Sequence, residues 1–150
     1  MTLATEASHG IDEAIADVED ELSMLFSRIR TIWKESAQQV HPDLQPAGYK
    51  LLSAITRLGT TNAHVLAETF EMDKSVVSRQ IRMLEDLGLV ETRIDERDGR
   101  VRVLGATPRA FELVQGVRDR NQQRLRDVLV GRPEAELRSF ADLLRSIGNA

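Results

Sequence analysis

The chain has 150 residues, no cysteine, 20 basic and 24 acidic residues, and a formal charge of −4. Without cysteine there is no disulfide framework, thiolate metal site, cysteine nucleophile or thiol redox sensor. A hydrophobic content of 41% fits one folded domain with an extended arm, and no apolar run nears the ~18 residues that span a bilayer, so a cytoplasmic protein with no membrane partner is expected.

Residues 1–10 carry no periodic apolar pattern and read as a flexible N-terminus. From Ile11, the residues Ile11, Ile15, Val18, Leu22, Leu25, Ile29 and Ile32 follow spacings of 4, 3, 4, 3, 4 and 3. That seam predicts a helix to about Val40, with Asp12 and Glu13 in its first turn, where acids favour the helix dipole. A helix of about 30 residues is long for so small a domain, which points to one shared between two chains rather than packed on its own core. His41-Pro42 ends it, because Pro disfavours helical geometry in the residue before it.

A second helix is predicted from Pro46 to Leu58, with Leu51, Leu52, Ile55 and Leu58 apolar and Gly59 closing it. Thr60, Thr61 and Asn62 offer an N-cap to a short helix from Ala63 to Phe70. Glu71-Met72 makes a turn. Asp73 is read as the cap of a helix from Lys74 to Leu87, which Gly88 stops. Val90–Ile94 and Val101–Leu104 read as two strands around the polar loop Asp95–Arg100. Pro108 starts a further helix with Phe111, Val114, Val117, Leu125 and Val128 in one stripe, and Pro133 starts the last, with Leu137, Phe140, Ala141, Leu144 and Ile147.

Helix, tight turn, helix and hairpin in that order outline a winged helix-turn-helix. The expected fold is mainly α with a small β-hairpin wing, flanked by long terminal helices. In the helix after the turn, Val77, Ile81 and Leu84 point inward, while Lys74, Ser75, Ser78, Arg79 and Arg82 point outward. Such a face suits a duplex: Arg grips guanine in bidentate fashion, hydroxyls bond bases or phosphates, and Val76 offers methyls to thymine. The hairpin places Arg93, Arg97, Arg100 and Arg102 within ten residues, on an element thin enough for a narrow minor groove. Asp98, two residues before Arg100, is read as orienting its guanidinium. The negative net charge does not oppose this reading. Residues 1–44 hold 3 basic and 9 acidic residues, whereas residues 73–109 hold 8 and 7.

The motifs Leu66-Ala67-Glu68, Asp73-Lys74-Ser75, Val77, Ser78-Arg79, Leu84-Glu85, Leu87-Gly88-Leu89-Val90, Asp95 through Arg100 and Thr107-Pro108 resemble the MarR family of bacterial transcriptional regulators. The resemblance implies a homodimer with intertwined terminal helices, recognition helices in successive major grooves and wings in the minor groove. It implies Ser75, Val76, Ser78 and Arg79 as recognition-helix contacts, Arg100 as the wing-tip arginine and Asp98 as its orienting acid. The corresponding organisation is 1–10 flexible N-terminus, 11–44 N-terminal dimerisation helix, 45–108 winged helix-turn-helix and 109–150 C-terminal dimerisation helices. Where the family's turn usually carries Gly, this chain has Glu71, which in left-handed geometry costs on the order of 1 kcal/mol.

The expected function is a regulator, most simply a repressor, that binds double-stranded DNA at an inverted-repeat operator and responds to a small-molecule effector. DNA contacts are assigned to Lys74, Ser75, Val76, Ser78, Arg79, Arg82, Arg97, Asp98 and Arg100. Trp33, His41 and Tyr49 are assigned to an effector pocket, since pockets combine aromatic walls with a few polar groups. His9, His41 and His64 are far apart in sequence and are read as having no i, i+4 pairing with carboxylates, so neither a metal site nor a cofactor is expected. No nucleophile elbow, phosphate loop or zinc-protease motif appears, so the chain is read as no enzyme. The competing reading is a dimeric protein-interaction module on the same fold, which leaves the wing arginines without a purpose.

Overall fold

A computed structural model describes residues 2–150, with side chains from residue 9 onward. It forms two compact units, one ending at Val114 and the other spanning Gln115–Ala150.

In the first unit, α1 spans Thr2–Val40. It starts well before Ile11, so residues 2–10 are helical rather than the flexible end expected from the sequence. The segment lacks Pro and also lacks apolar periodicity, so nothing in the pattern marks where the helix begins. Asp12 and Glu13 therefore lie inside the helix and not in its first turn. Only the last turns of α1 are buried, through Ser36, Ala37 and Val40, where α1 packs on α2. Ile11, Ile15, Val18, Leu25 and Ile29 of the predicted seam are exposed.

α2 (Pro46–Leu58) has the predicted bounds: Pro46 fills its first turn, and Gly59 at φ 77° donates its N–H to the Ile55 carbonyl. Its Leu51, Leu52 and Ile55 are fully buried and form the centre of the core with Leu66, Val77, Leu84 and Val114. α2 crosses α4 closely at Gly48. A Cβ there would lie 2.8 Å from Leu44 Cδ1 and 3.2 Å from Gln80 Oε1, so a larger residue would require these two side chains to shift.

Thr60–Thr61 form a short strand, β1, which the sequence reading takes only as part of a cap. Asn62 is the N-cap of α3 (Ala63–Thr69), its Oδ1 accepting the Val65 N–H at 2.9 Å. α4 (Lys74–Asp86) follows the turn. β2 (Val90–Ile94) and β3 (Arg102–Ala106) complete an antiparallel sheet in the order β1-β3-β2. β3 begins one residue later than Val101, because the Val101 N–H is taken by the Asp98 carbonyl at 3.0 Å in the loop. α5 spans Pro108–Leu129.

Both helices of the helix-turn-helix end in the same motif. After α4, Leu89 N–H bonds the Leu84 carbonyl and Gly88 N–H the Glu85 carbonyl, with Gly88 at φ 70°. After α3, Met72 N–H bonds the Ala67 carbonyl and Glu71 N–H the Glu68 carbonyl, with Glu71 at φ 50°. These are Schellman caps, which favour Gly at the left-handed position. A side chain there costs about 1–2 kcal/mol, whereas Gly costs roughly 0.5–1 kcal/mol in unfolded-state entropy. Glu71→Gly is therefore expected to leave stability unchanged or raise it by up to about 1.5 kcal/mol. A lower melting temperature would contradict this account of the turn.

In the second unit, α6 spans Glu134–Gly148 with Pro133 as its N-cap, one position earlier than the first-turn place predicted for that proline. Ion pairs Arg138–Glu134 and Arg145–Asp142 run along its polar side. Its apolar residues Phe140, Leu143, Leu144 and Ile147 are all exposed. No helix among the described residues is long and apolar enough to cross a membrane.

Candidate nucleic-acid interface

The amphipathic pattern of α4 decides which side chains face outward. Val77, Ile81 and Leu84 are buried against the core, which leaves Lys74, Ser75, Ser78, Arg79 and Arg82 exposed in one band. Val76 is half-buried beside them. Asp73 occupies the N-cap position of α4, but its carboxylate makes no capping hydrogen bond, contrary to the expected cap. The Schellman cap at Gly88 then turns the chain from the end of α4 into β2.

The wing is ordered by its own acids. Asp95 Oδ1 accepts the Arg97 N–H at 2.8 Å, and Asp98 Oδ1 accepts the Arg100 N–H at 3.0 Å. Asp95 N–H bonds the Val101 carbonyl at 2.9 Å and closes the loop. Asp98 thus holds the backbone of Arg100, where the sequence reading has it hold the guanidinium. An Asp side chain bonds the N–H two residues on more readily than it reaches past its own turn. Arg97, Asp98 and Arg100 are exposed at the tip. Arg93 lies lower on the wing and pairs with Glu91 at 3.2 Å.

Two threonines tie the wing to its surroundings. Thr92 of β2 donates its hydroxyl to the Glu85 carboxylate of α4. Thr107 donates its hydroxyl to the Gly88 carbonyl at 3.0 Å and accepts the Ala110 N–H at 3.3 Å, so it links the end of α4 to the start of α5. The bonds to Glu85 and Gly88 are not legible from local pattern, because they join residues 7 and 19 positions apart on different elements.

The residues assigned to an effector pocket separate. Trp33 and Tyr49 meet edge to face, with ring centroids 5.5 Å apart. Tyr49 is buried, while Trp33 lines an open depression of about 480 Å³ with Ile29, Arg30, Pro46, Ala47 and Lys50. His41 does not line it; its Nδ1 accepts the Asp43 N–H at 3.1 Å in the turn after α1. Arg30 and Lys50 also line this depression, and single-residue inspection cannot distinguish them from ordinary surface cations. The Lys50 ammonium also sits 4.7 Å from the centre of the Phe70 ring, at the end of α3. His64 pairs with Glu68 at 3.2 Å, an i, i+4 histidine–carboxylate pair that the sequence reading holds to be absent.

Residues 43–101 match the MarR family model. Over these residues the chain is similar to the MarR family. Over 133 residues the chain is 26% identical to YxaD of Bacillus subtilis (strain 168), described as an uncharacterized HTH-type transcriptional regulator, and the match covers 89% of this chain and 92% of that protein. The crystal structure of the YusO protein from Bacillus subtilis matches with a TM-score of 0.67 at 25% identity, covering 93% of this chain and 97% of that one. The structure of Streptococcus pneumoniae FabT in complex with DNA matches with a TM-score of 0.80 at 15% identity, covering 90% of this chain and 95% of that one, which shows a shared fold. The exposed band of α4 and the wing-tip residues Arg97 and Arg100 thus lie within the stretch that matches the family model.

Proposed function

We propose that the chain is a cytoplasmic, homodimeric, sequence-specific DNA-binding regulator, acting as a repressor at an inverted-repeat operator. The observation that carries this reading is the exposed band Lys74, Ser75, Ser78, Arg79 and Arg82 on the helix that leads into a wing tipped by Arg97 and Arg100. The FabT complex with DNA supports it by fold. Val76 completes the recognition face, and Asp98 acts on the wing through the Arg100 backbone. The dimer rests on the terminal helices, residues 11–44 and 109–150, many of whose apolar side chains away from the core are exposed in the single chain. Ile15 at 52%, Val18 at 51% and Leu143 at 62% accessibility are unusual unless a second copy covers them. The winged core, residues 45–108, reads DNA. The depression at Trp33 is where we place a small-molecule effector, with Tyr49 as the buried support of Trp33. Such a ligand acts only through different affinities for the DNA-bound and free shapes.

The test is fluorescence anisotropy on a duplex selected by the protein from a random pool, across a salt series, with light scattering for mass. We expect a particle of twice the chain mass and tight, salt-dependent binding. Arg100→Ala is expected to weaken binding while the dimer persists. Unchanged affinity would sink the wing assignment, and a monomeric mass the dimer.

A further inference from the structure

Each strand of the wing has two faces, and the register of β2 with β3 sorts the side chains between them. Val90 pairs with Ala106, Thr92 with Leu104 and Ile94 with Arg102. Residues directly opposite one another in an antiparallel pair share a face. Val90 and Leu104 are buried, so this face is the one turned toward the domain. Thr92, next along it, bonds Glu85 at the end of α4. Continuing outward, Ile94 and Arg102 occupy the same face beyond the point where the core ends. Ile94 is 68% exposed there, and Arg102 is exposed as well. Arg93 lies on the opposite face and is held by Glu91, whereas Arg102 has no acidic partner among the described residues.

An exposed β-branched residue across from an arginine does nothing for the core. It does suit a duplex lying against α4 and the wing together. Apolar side chains pack on the sugar edges of a minor groove, and a guanidinium bonds the flanking phosphates. We propose that Ile94 and Arg102 form a second DNA contact on the α4-facing side of the wing, separate from the tip residues Arg97 and Arg100. Ile94 makes an apolar contact with the groove wall, and Arg102 neutralises one phosphate. This inference rests on the DNA-binding reading above.

The two contacts have different salt signatures. Arg102→Ala is expected to weaken binding about three- to tenfold and to lower the slope of log affinity against log salt by about 0.9. Ile94→Thr keeps the β-branch and removes apolar surface. It is expected to weaken binding about three- to fivefold with the slope unchanged. Both positions are exposed, so thermal unfolding should match the wild type and report any loss due to misfolding. Arg100→Ala is measured alongside on the same selected duplex. If Arg100→Ala weakens binding while both other variants bind as wild type, the second contact is wrong and the DNA-binding reading stands. If the wild type selects no duplex at all, both readings fall.

Discussion

Leu84→Ala is expected to cost about 2–5 kcal/mol of folding stability and to abolish DNA binding well below the temperature at which the wild type unfolds. Leu84 is fully buried, and its carbonyl also accepts the Leu89 N–H that ends α4. Truncation therefore leaves a cavity under the helix that presents Arg79 and Arg82, and it removes the apolar partner of buried Leu89 in the Schellman cap. Small domains hold only about 5–15 kcal/mol in total, so a loss of this size is a large share. Urea unfolding followed by circular dichroism measures it. Arg82→Ala, exposed on the same helix, is the control and should stay within about 0.5 kcal/mol of wild type. A stable, binding-competent Leu84→Ala would mean that α4 is positioned by something other than its buried stripe.

Arg79→Ala is expected to act on recognition and leave stability alone. Arg79 is exposed in the middle of the outward band, where an arginine grips guanine O6 and N7 in bidentate fashion. Its removal is expected to cost about 1–3 kcal/mol of binding free energy and to relax the choice of base at one position. Titration against the selected duplex and against single-base variants of it distinguishes the cases. A uniform loss across all duplexes, with a shallower salt dependence, would make Arg79 a phosphate contact.

Much of this arrangement was legible before the structure. α2 was bounded correctly because Pro46 and Gly59 act locally, one by its fixed φ and the other by its left-handed cap. The outward band of α4 followed from the 3.6-residue period alone. Features decided by partners distant in sequence were not legible. β1 is two residues long and exists because Thr60 and Thr61 pair with Gly105 and Leu104 of β3. The start of α1 had no apolar marker. Asp98 was assigned to a side chain when its partner is a backbone N–H, since spacing alone does not separate the two. His41 is assigned to a pocket by residue type alone, yet its Nδ1 accepts the Asp43 N–H in the turn after α1.

The acids of the wing loop raise a question of timing. Asp95 and Asp98 carry negative charge on the element meant to approach a polyanion, which on charge alone is a poor choice. Their carboxylates, however, fix the backbone at Arg97 and Arg100 in the single chain. Flexible segments that order only on binding surrender about 0.5–1.5 kcal/mol of affinity for each side chain immobilised. A loop already held by its own carboxylates has its backbone ordered during folding, which leaves only the exposed arginine side chains to be fixed on binding. On the DNA-binding function proposed above, the wing trades some long-range attraction for a smaller entropy loss at contact, so its acids are expected to shape how tightly a complex is held more than how quickly it forms.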